Sequence, residues 1–139
     1  MSARSIIAAT LSLATAFAAE VSIKQADLPA AVRNALPAQT KGAEIKNIMK
    51  ETVKGKTVYE VETVTNGMTR DLILSGTGAV LETEEQVTLE LIPVASRKML
   101  EAKARGAKIE KVEALTKNGK VSYEATINRN GKKSEISAQ

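Results

Sequence analysis

Apolar and polar residues alternate from 57 to 65, and this pattern predicts a strand with one buried face. Tyr59 and Val61 fall on one side of the strand, and Glu60 and Glu62 fall on the other. Because the two glutamates alternate with the apolar positions, we interpret them as a solvated strand face. The tyrosine side is predicted to face the core.

A helical pattern comes before this strand. Leu28, Val32 and Leu36 recur at helical spacing and share one face, and Asp27 is placed to cap the first turn. Proline disfavours helix at the residue before it and lacks a backbone donor. The sequence therefore predicts an amphipathic helix that ends near Pro37.

Turn dipeptides divide the rest of this region into strands. Asn66 and Gly67 stand between alternating runs, which is a strong hairpin signal because both residues accept a positive φ. Ile45 and Ile48 are three apart, so strict alternation would put them on opposite faces, and we expect a bulge there. The predicted strands are 43–51, 57–65, 69–74 and 79–81, followed by an acidic connector over 82–85.

The whole pattern returns 64 residues later, and Tyr123 occupies the place of Tyr59. Internal repeats of this length indicate a chain built from successive similar units. We therefore predict two tandem units, 19–85 and 86–139. The second helix, Pro93 to Arg105, is predicted to be longer because no proline interrupts it, and the second unit has no counterpart of its last strand.

The order of these motifs resembles the PepSY-like family of secreted bacterial proteins. The shared features are a helix opening on Leu-Pro-Ala-Ala-Val, a Gly-Ala-x-Ile strand, Tyr-Glu-Val-Glu, an Asn-Gly turn and Gly-x-Val-Leu. The resemblance implies an α+β fold, in which tandem helix-plus-meander repeats form one antiparallel sheet with the helices packed on one face. Since the family is related in fold to the β-lactamase inhibitory protein, it also implies a non-catalytic protein-binding module, an inhibitor or modulator of a peptidase or β-lactamase.

The N-terminal segment has the features of a secretion signal. Arg4 precedes an apolar run over 6–17 that is too short to span a bilayer, and small residues follow at a cleavage position. We predict a signal peptide over 1–18, a mature start at Ala19 or Glu20, and a periplasmic or secreted protein. No membrane span is expected after signal removal.

Composition narrows the chemistry. The 139 residues include no histidine and no cysteine, which excludes His/Cys metal sites, histidine-based triads, thiol nucleophiles and disulfides. Glu60 and Glu62 belong to the predicted solvated strand face, and the cluster of Glu82, Glu84 and Glu85 lacks the glycine-punctuated ligand spacing of a calcium loop. No catalytic residue, cofactor or metal site is therefore predicted. One enzymatic alternative stays open, a small envelope hydrolase that uses carboxylates alone.

Charge divides the chain unequally. Residues 27–90 contain seven basic and ten acidic side chains, whereas residues 91–139 contain eleven and five. Such a basic region can dock an acidic protein or an anionic glycan, and self-association between the two units is a further alternative. Scarce aromatic residues argue against nucleic acid. The predicted partner-binding residues are Arg97, Lys98, Lys103, Arg105, Lys108 and Lys111.

The periodic apolar positions also predict the core, in which two tyrosines are the largest side chains. The predicted core residues are Leu28, Val32, Leu36, Ile48, Tyr59, Val61, Leu72, Leu100, Val112, Tyr123 and Ile136.

Overall fold

A computed structural model describes residues 20–139. The predicted signal peptide over 1–18 lies outside this part of the chain. The described residues form two α-helices and one open sheet of eight antiparallel strands, in which the spatial order of the strands equals their order in the chain. The strands are β1 Val21–Ser22, β2 Glu44–Val53, β3 Lys56–Thr65, β4 Met68–Ser75, β5 Val80–Val87, β6 Lys108–Lys117, β7 Lys120–Arg129 and β8 Lys132–Ala138. The predicted α+β class is confirmed.

The two helices have the same length. Helix α1 spans Ala30–Thr40 and α2 spans Val94–Ala104, each after a short 3-10 turn. The predictions that α1 ends near Pro37 and that α2 is longer are therefore wrong. Pro37 lies on the exposed side of α1, and burial of Thr40 one turn later keeps the chain helical past the proline. Neither of these helices is long and apolar enough to cross a membrane.

Strand register assigns the side chains to the two faces of the sheet. Ile48, Val61 and Leu72 stand opposite one another on neighbouring strands and pack against α1. Val112 and Ala125 occupy the same face of β6 and β7 and pack under α2. Because the strands in between continue the register, α1 and α2 cover the same face of the sheet, and within residues 20–139 no helix packs on the other face.

The buried residues form two clusters, one under each helix. The first contains every predicted core residue from Leu28 to Leu72, with Leu74 in addition. The second is smaller, and Tyr123 and Ile136 are only partly buried at its margin. The core prediction is confirmed for the first cluster and for Leu100 and Val112.

The turns and the irregular strand starts agree with the sequence. Asn66 and Gly67 both have positive φ, as the predicted hairpin requires. The pairing of β2 with β3 shifts register after Ile45, and the pairing of β6 with β7 shifts after Ile109, which confirms the predicted bulge in both places.

Strand β5 connects the two halves of the sheet. Its first part pairs with β4, and its whole length from Glu82 pairs with β6, so the predicted acidic connector is wrong. Acidic residues form strand here because β5 has a hydrogen-bonded partner on each side. The elements α1, β2 and β3 have counterparts 64 residues later in α2, β6 and β7, and the end of β5 pairs with β6 as β1 pairs with β2.

The helices are attached to the sheet in different ways. The turn between β4 and β5 lies so close to α1 that a Cβ on Gly78 would stand 2.6 Å from the carbonyl oxygen of Ala31. Helix α2 instead packs over β7 and β8 and donates hydrogen bonds to that edge. Ser96 Oγ donates to the Gln139 carbonyl at 2.9 Å, and Lys103 Nζ donates to the Ser137 carbonyl at 2.6 Å.

Candidate functional site

The face of the sheet opposite α1 and α2 carries a band of carboxylates. Glu60 on β3 pairs with Ile73 on β4, and Ile73 pairs with Glu82 on β5. Two residues along the same strands, Asp71 on β4 pairs with Glu84 on β5. Acidic side chains continue across β6, β7 and β8. We call this set the acidic face: Glu51, Glu60, Glu62, Asp71, Glu82, Glu84, Glu113, Glu124 and Glu135.

Several of these carboxylates are buried although α1 and α2 pack on the opposite face of the sheet. The exposed fraction is 8% for Glu60, 5% for Glu82 and 4% for Glu84. The interpretation of Glu60 as part of a solvated strand face is therefore wrong. Residues from β2 to β6 line one cavity of about 220 Å³, so the face is concave and its side chains screen one another from water.

Burial and crowding raise the pKa of the most enclosed carboxylates. The pKa of Glu60 is raised from 4.5 to about 9, first by burial and then by the charges of Asp71, Glu51 and Glu84. The pKa of Glu84 is raised to about 8, again first by burial and then by Glu113 and other acids. Both groups therefore hold a proton at neutral pH in the free protein.

The neighbouring carboxylates are affected less. Burial raises the pKa of Asp71 to about 6, and the nearby Lys111 opposes this rise. Burial and the charge of Glu135 raise the pKa of Glu124 to about 7. The acidic face consequently gains negative charge stepwise between about pH 6 and pH 9.

Two lysines on β6 supply counter-charges to this face. Lys117 Nζ lies 3.3 Å from Glu82 Oε2, and Lys111 forms an ion pair with Glu113. Glu84 has no such partner, since it forms no hydrogen bond or ion pair with any residue from 20 to 139.

Three carboxylates on adjacent strands meet closely enough to hold a cation. Oxygen atoms of Asp71, Glu84 and Glu113 lie within 4.8 Å of one another. The ammonium group of Lys111 already contacts Glu113 and lies near Asp71, where a metal ion would bind. The cluster therefore has an internal cation competing for two of its three ligands.

The six basic residues predicted to bind a partner do not share one surface. Arg97, Lys98 and Lys103 lie on α2, and Lys103 also lines a cavity of about 490 Å³ together with Glu84 and Glu124. The other three are at or beyond the end of α2, and register places Lys111 on the acidic face. Arg105 adopts the left-handed conformation that ends α2, and Lys108 begins β6.

Sequence reasoning placed Glu60 and Glu62 on the correct side of β3 but missed their association with β5. The missed residues are Asp71, Glu82, Glu84 and Glu113. A signal for them was present: acidic residues alternate at Glu82 and Glu84 with the spacing of a strand face.

No protein-family model and no curated protein matches the chain. Solved structures do match its fold. A DUF2874 family protein from Bacteroides ovatus is 12% identical with a TM-score of 0.59, covering 79% of each chain. A Bacteroides eggerthii protein, provisionally named periplasmic, is 16% identical with a TM-score of 0.63, covering 79% of this chain and 80% of that one.

A third similar structure is a BLIP-like protein from Bacteroides fragilis. It is 20% identical with a TM-score of 0.54 and covers 77% of this chain and 75% of that one. At these identities the similarity concerns the fold alone. The chain therefore has a BLIP-like fold. This agrees with the resemblance noted in the sequence, which implied a fold related to that of the β-lactamase inhibitory protein.

Proposed function

We propose that this chain is a non-catalytic protein-binding module of the bacterial periplasm or exterior, and that it binds its partner with the acidic face. The observation that carries the proposal is the burial of Glu60, Glu82 and Glu84 on a concave surface opposite the face that α1 and α2 cover. Burial that forces Glu60 and Glu84 to keep a proton at neutral pH lowers the stability of the free protein. Such an arrangement is typical of a site selected for binding.

The finer assignment is a PepSY-like protein made of two tandem repeats that inhibits or modulates an envelope hydrolase of the peptidase or β-lactamase class. Two observations support it: the element bounds that recur 64 residues apart and the BLIP-like fold of a similar structure. Inhibition assays against a panel of β-lactamases and peptidases test this assignment. Unchanged hydrolysis rates across both classes at saturating protein would contradict it.

A comparison of two surface variants tests the binding face. The first reverses charge on the acidic face with Glu62→Lys and Glu124→Lys, and the second reverses charge on α2 with Lys98→Glu and Lys103→Glu. We expect the first variant to lose its partner from a soluble envelope extract and the second to retain it. Melting curves establish that both variants are folded.

The opposite result would contradict the proposed face. If only the α2 variant lost the partner, the basic residues of α2 would be the docking surface, and an anionic glycan or an acidic protein would be the ligand to pursue. Self-association is measured in the same samples by sedimentation at low and high salt, because attraction between basic and acidic surfaces weakens with salt.

A carboxylate-only hydrolase is the second candidate, and one observation favours it. Asp71 and Glu84 are close together and have raised pKa values, as in sites where one carboxylate acts as acid and another as base. Glu60→Gln, Glu84→Gln and Glu124→Gln separate the candidates. If all three folded variants keep a hydrolytic activity, that activity does not depend on these carboxylates. If Glu84→Gln abolishes a hydrolytic activity while the protein stays folded, the hydrolase is the better candidate.

A further inference from the structure

The smaller cavity of the acidic face combines apolar walls with carboxylates. Its volume is about 220 Å³, below the roughly 300 to 1,000 Å³ typical of pockets for drug-sized ligands. Glu60, Glu82 and Glu84 reach it, and Lys117 and Asn118 line it from β6 and the turn after it. The apolar walls are Val53, Val58, Ile73 and Leu81.

Glu84 is an acceptor without a partner in this cavity. Its exposed fraction is 4%, and it forms no hydrogen bond or ion pair with the described residues. No polar side-chain atom in residues 20–139 is both enclosed and unsatisfied, and Glu84 lines both this cavity and the neighbouring one of about 490 Å³. A buried carboxylate that lines an accessible cavity favours a cationic ligand.

Lys117 shows that an ammonium group fits beside these carboxylates. Its Nζ reaches Glu82 at 3.3 Å, while the lysine side chain itself remains 52% exposed. This lysine satisfies Glu82 and leaves Glu84 free. The second acceptor is therefore available to a cation from outside the chain.

We propose that the cavity is a socket for a single lysine or arginine side chain of a protein partner. The methylene stem would lie against Val58, Ile73 and Leu81, and the cationic head would pair with Glu84. A bare metal ion would gain nothing from the apolar walls, since hard divalent cations require oxygen ligands on most sides. The inference rests on the proposed function and specifies the chemistry of the partner.

Cation binding at the socket is coupled to proton release. Glu84 holds a proton at neutral pH and must lose it to pair with a cation, so affinity should rise as the pH approaches about 8. Protonation of the other acids that face the cavity will add to this dependence. The charged groups around Glu84 are Glu51, Glu60, Asp71, Glu82, Lys103, Lys111, Glu113, Lys117 and Glu124.

Matched small probes test the socket directly. N-acetyl-lysine amide and N-acetyl-norleucine amide share a stem and differ in charge, and methyl NMR signals of Val58, Ile73 and Leu81 report on the cavity. We expect saturable shifts at these methyls with the lysine amide at millimolar concentration and none with the norleucine amide. Equal binding of both probes, or no saturable shift with the lysine amide or the corresponding arginine amide, would overturn the proposal.

Variants sharpen the test. At a pH above about 8, where wild-type Glu84 is ionised, the nearly isosteric Glu84→Gln should weaken lysine-amide binding by about tenfold, the loss of one charge-assisted pair. Glu101→Gln, at an exposed position of α2 outside the acidic face, is the matched control and should bind as the wild type does. Lys117→Met should strengthen binding because it removes a positive charge that repels the incoming cation. Undiminished binding by Glu84→Gln would overturn the assignment.

Two further outcomes separate this inference from the proposed function. Calcium chloride that shifts the same methyls and displaces the lysine amide would identify a metal site and overturn the socket. If partner capture depends on the acidic face but no lysine or arginine probe binds, the socket is wrong and the binding face stands. If the probe binds the cavity while capture ignores the face, the proposed function fails.

Discussion

Each half of the sheet packs against one helix, but the side chains that form the contact differ between the two halves. Under α1, the core contains Tyr59, Val61 and Leu74, and the corresponding positions under α2 hold Tyr123, Ala125 and Ala138. Helix α1 rests against the turn at Gly78, whereas α2 relies on polar bonds to the β8 edge. The first half is therefore held by buried apolar area and the second by edge contacts, so equivalent mutations should have unequal effects.

The two tyrosines give the largest expected difference. Tyr59 is 7% exposed within the first core, and Tyr59→Ala should lower the free energy of unfolding by about 3 to 5 kcal/mol. Tyr123 is only partly buried, so Tyr123→Ala should cost about half as much. Chemical denaturation of both variants measures the ratio. Equal losses would show that the second core is as dense as the first.

The proline of α1 and the glutamate at the corresponding position of α2 can be exchanged by mutation. Glu101→Pro introduces into α2 the proline that α1 carries, and it should cost about 3 kcal/mol through the lost hydrogen bond and the clash with the preceding turn. Pro37→Glu removes that proline from α1 and should raise stability by about 1 kcal/mol. Thermal melts compare the two. A stabilising Glu101→Pro would contradict this account.

Buried acids should make stability depend on pH, most strongly through the first half. Glu60 keeps its proton in the folded state up to about pH 9, while the unfolded chain loses it near 4.5, so stability falls as the pH rises through this range. Glu60→Gln should raise the free energy of unfolding by on the order of 2 kcal/mol at alkaline pH and should flatten the plot of stability against pH, as measured by chemical denaturation at a series of pH values. Glu44→Gln, at an exposed ion pair, is the control and should leave the curve unchanged.

The smallest effects are expected on α2. Lys98 is exposed, so Lys98→Glu should change stability by less than about 0.5 kcal/mol. Lys103→Glu should cost more than Lys98→Glu, because Lys103 donates to the Ser137 carbonyl at the sheet edge. Calorimetry of both variants resolves the order. Equal losses of stability in the two variants would show that the hydrogen bond from Lys103 to the sheet edge does not help to hold α2 on the sheet.

Much of the fold follows from periodicity, and particular residues show where that reasoning fails. The alternation around Tyr59 and the Asn-Gly turns predicted strand positions and faces correctly, because they depend on local backbone geometry. The prediction that α1 ends near Pro37 was wrong because tertiary packing outweighs the local preference of proline against helix. The burial of Glu84 could not be predicted, since it depends on sheet curvature and on partners from strands on both sides.

Strand order has a consequence for how the chain folds. Every strand pairs with its neighbour in sequence, from β1 to β8. A helix separates the partners in β1–β2 and β5–β6, and the other pairs are hairpins that can close without waiting for a distant segment. Proteins dominated by local pairings fold faster than β-proteins whose strands must meet across long loops. The sheet can therefore grow hairpin by hairpin from either end, and β5 is the strand at which the two growing parts join.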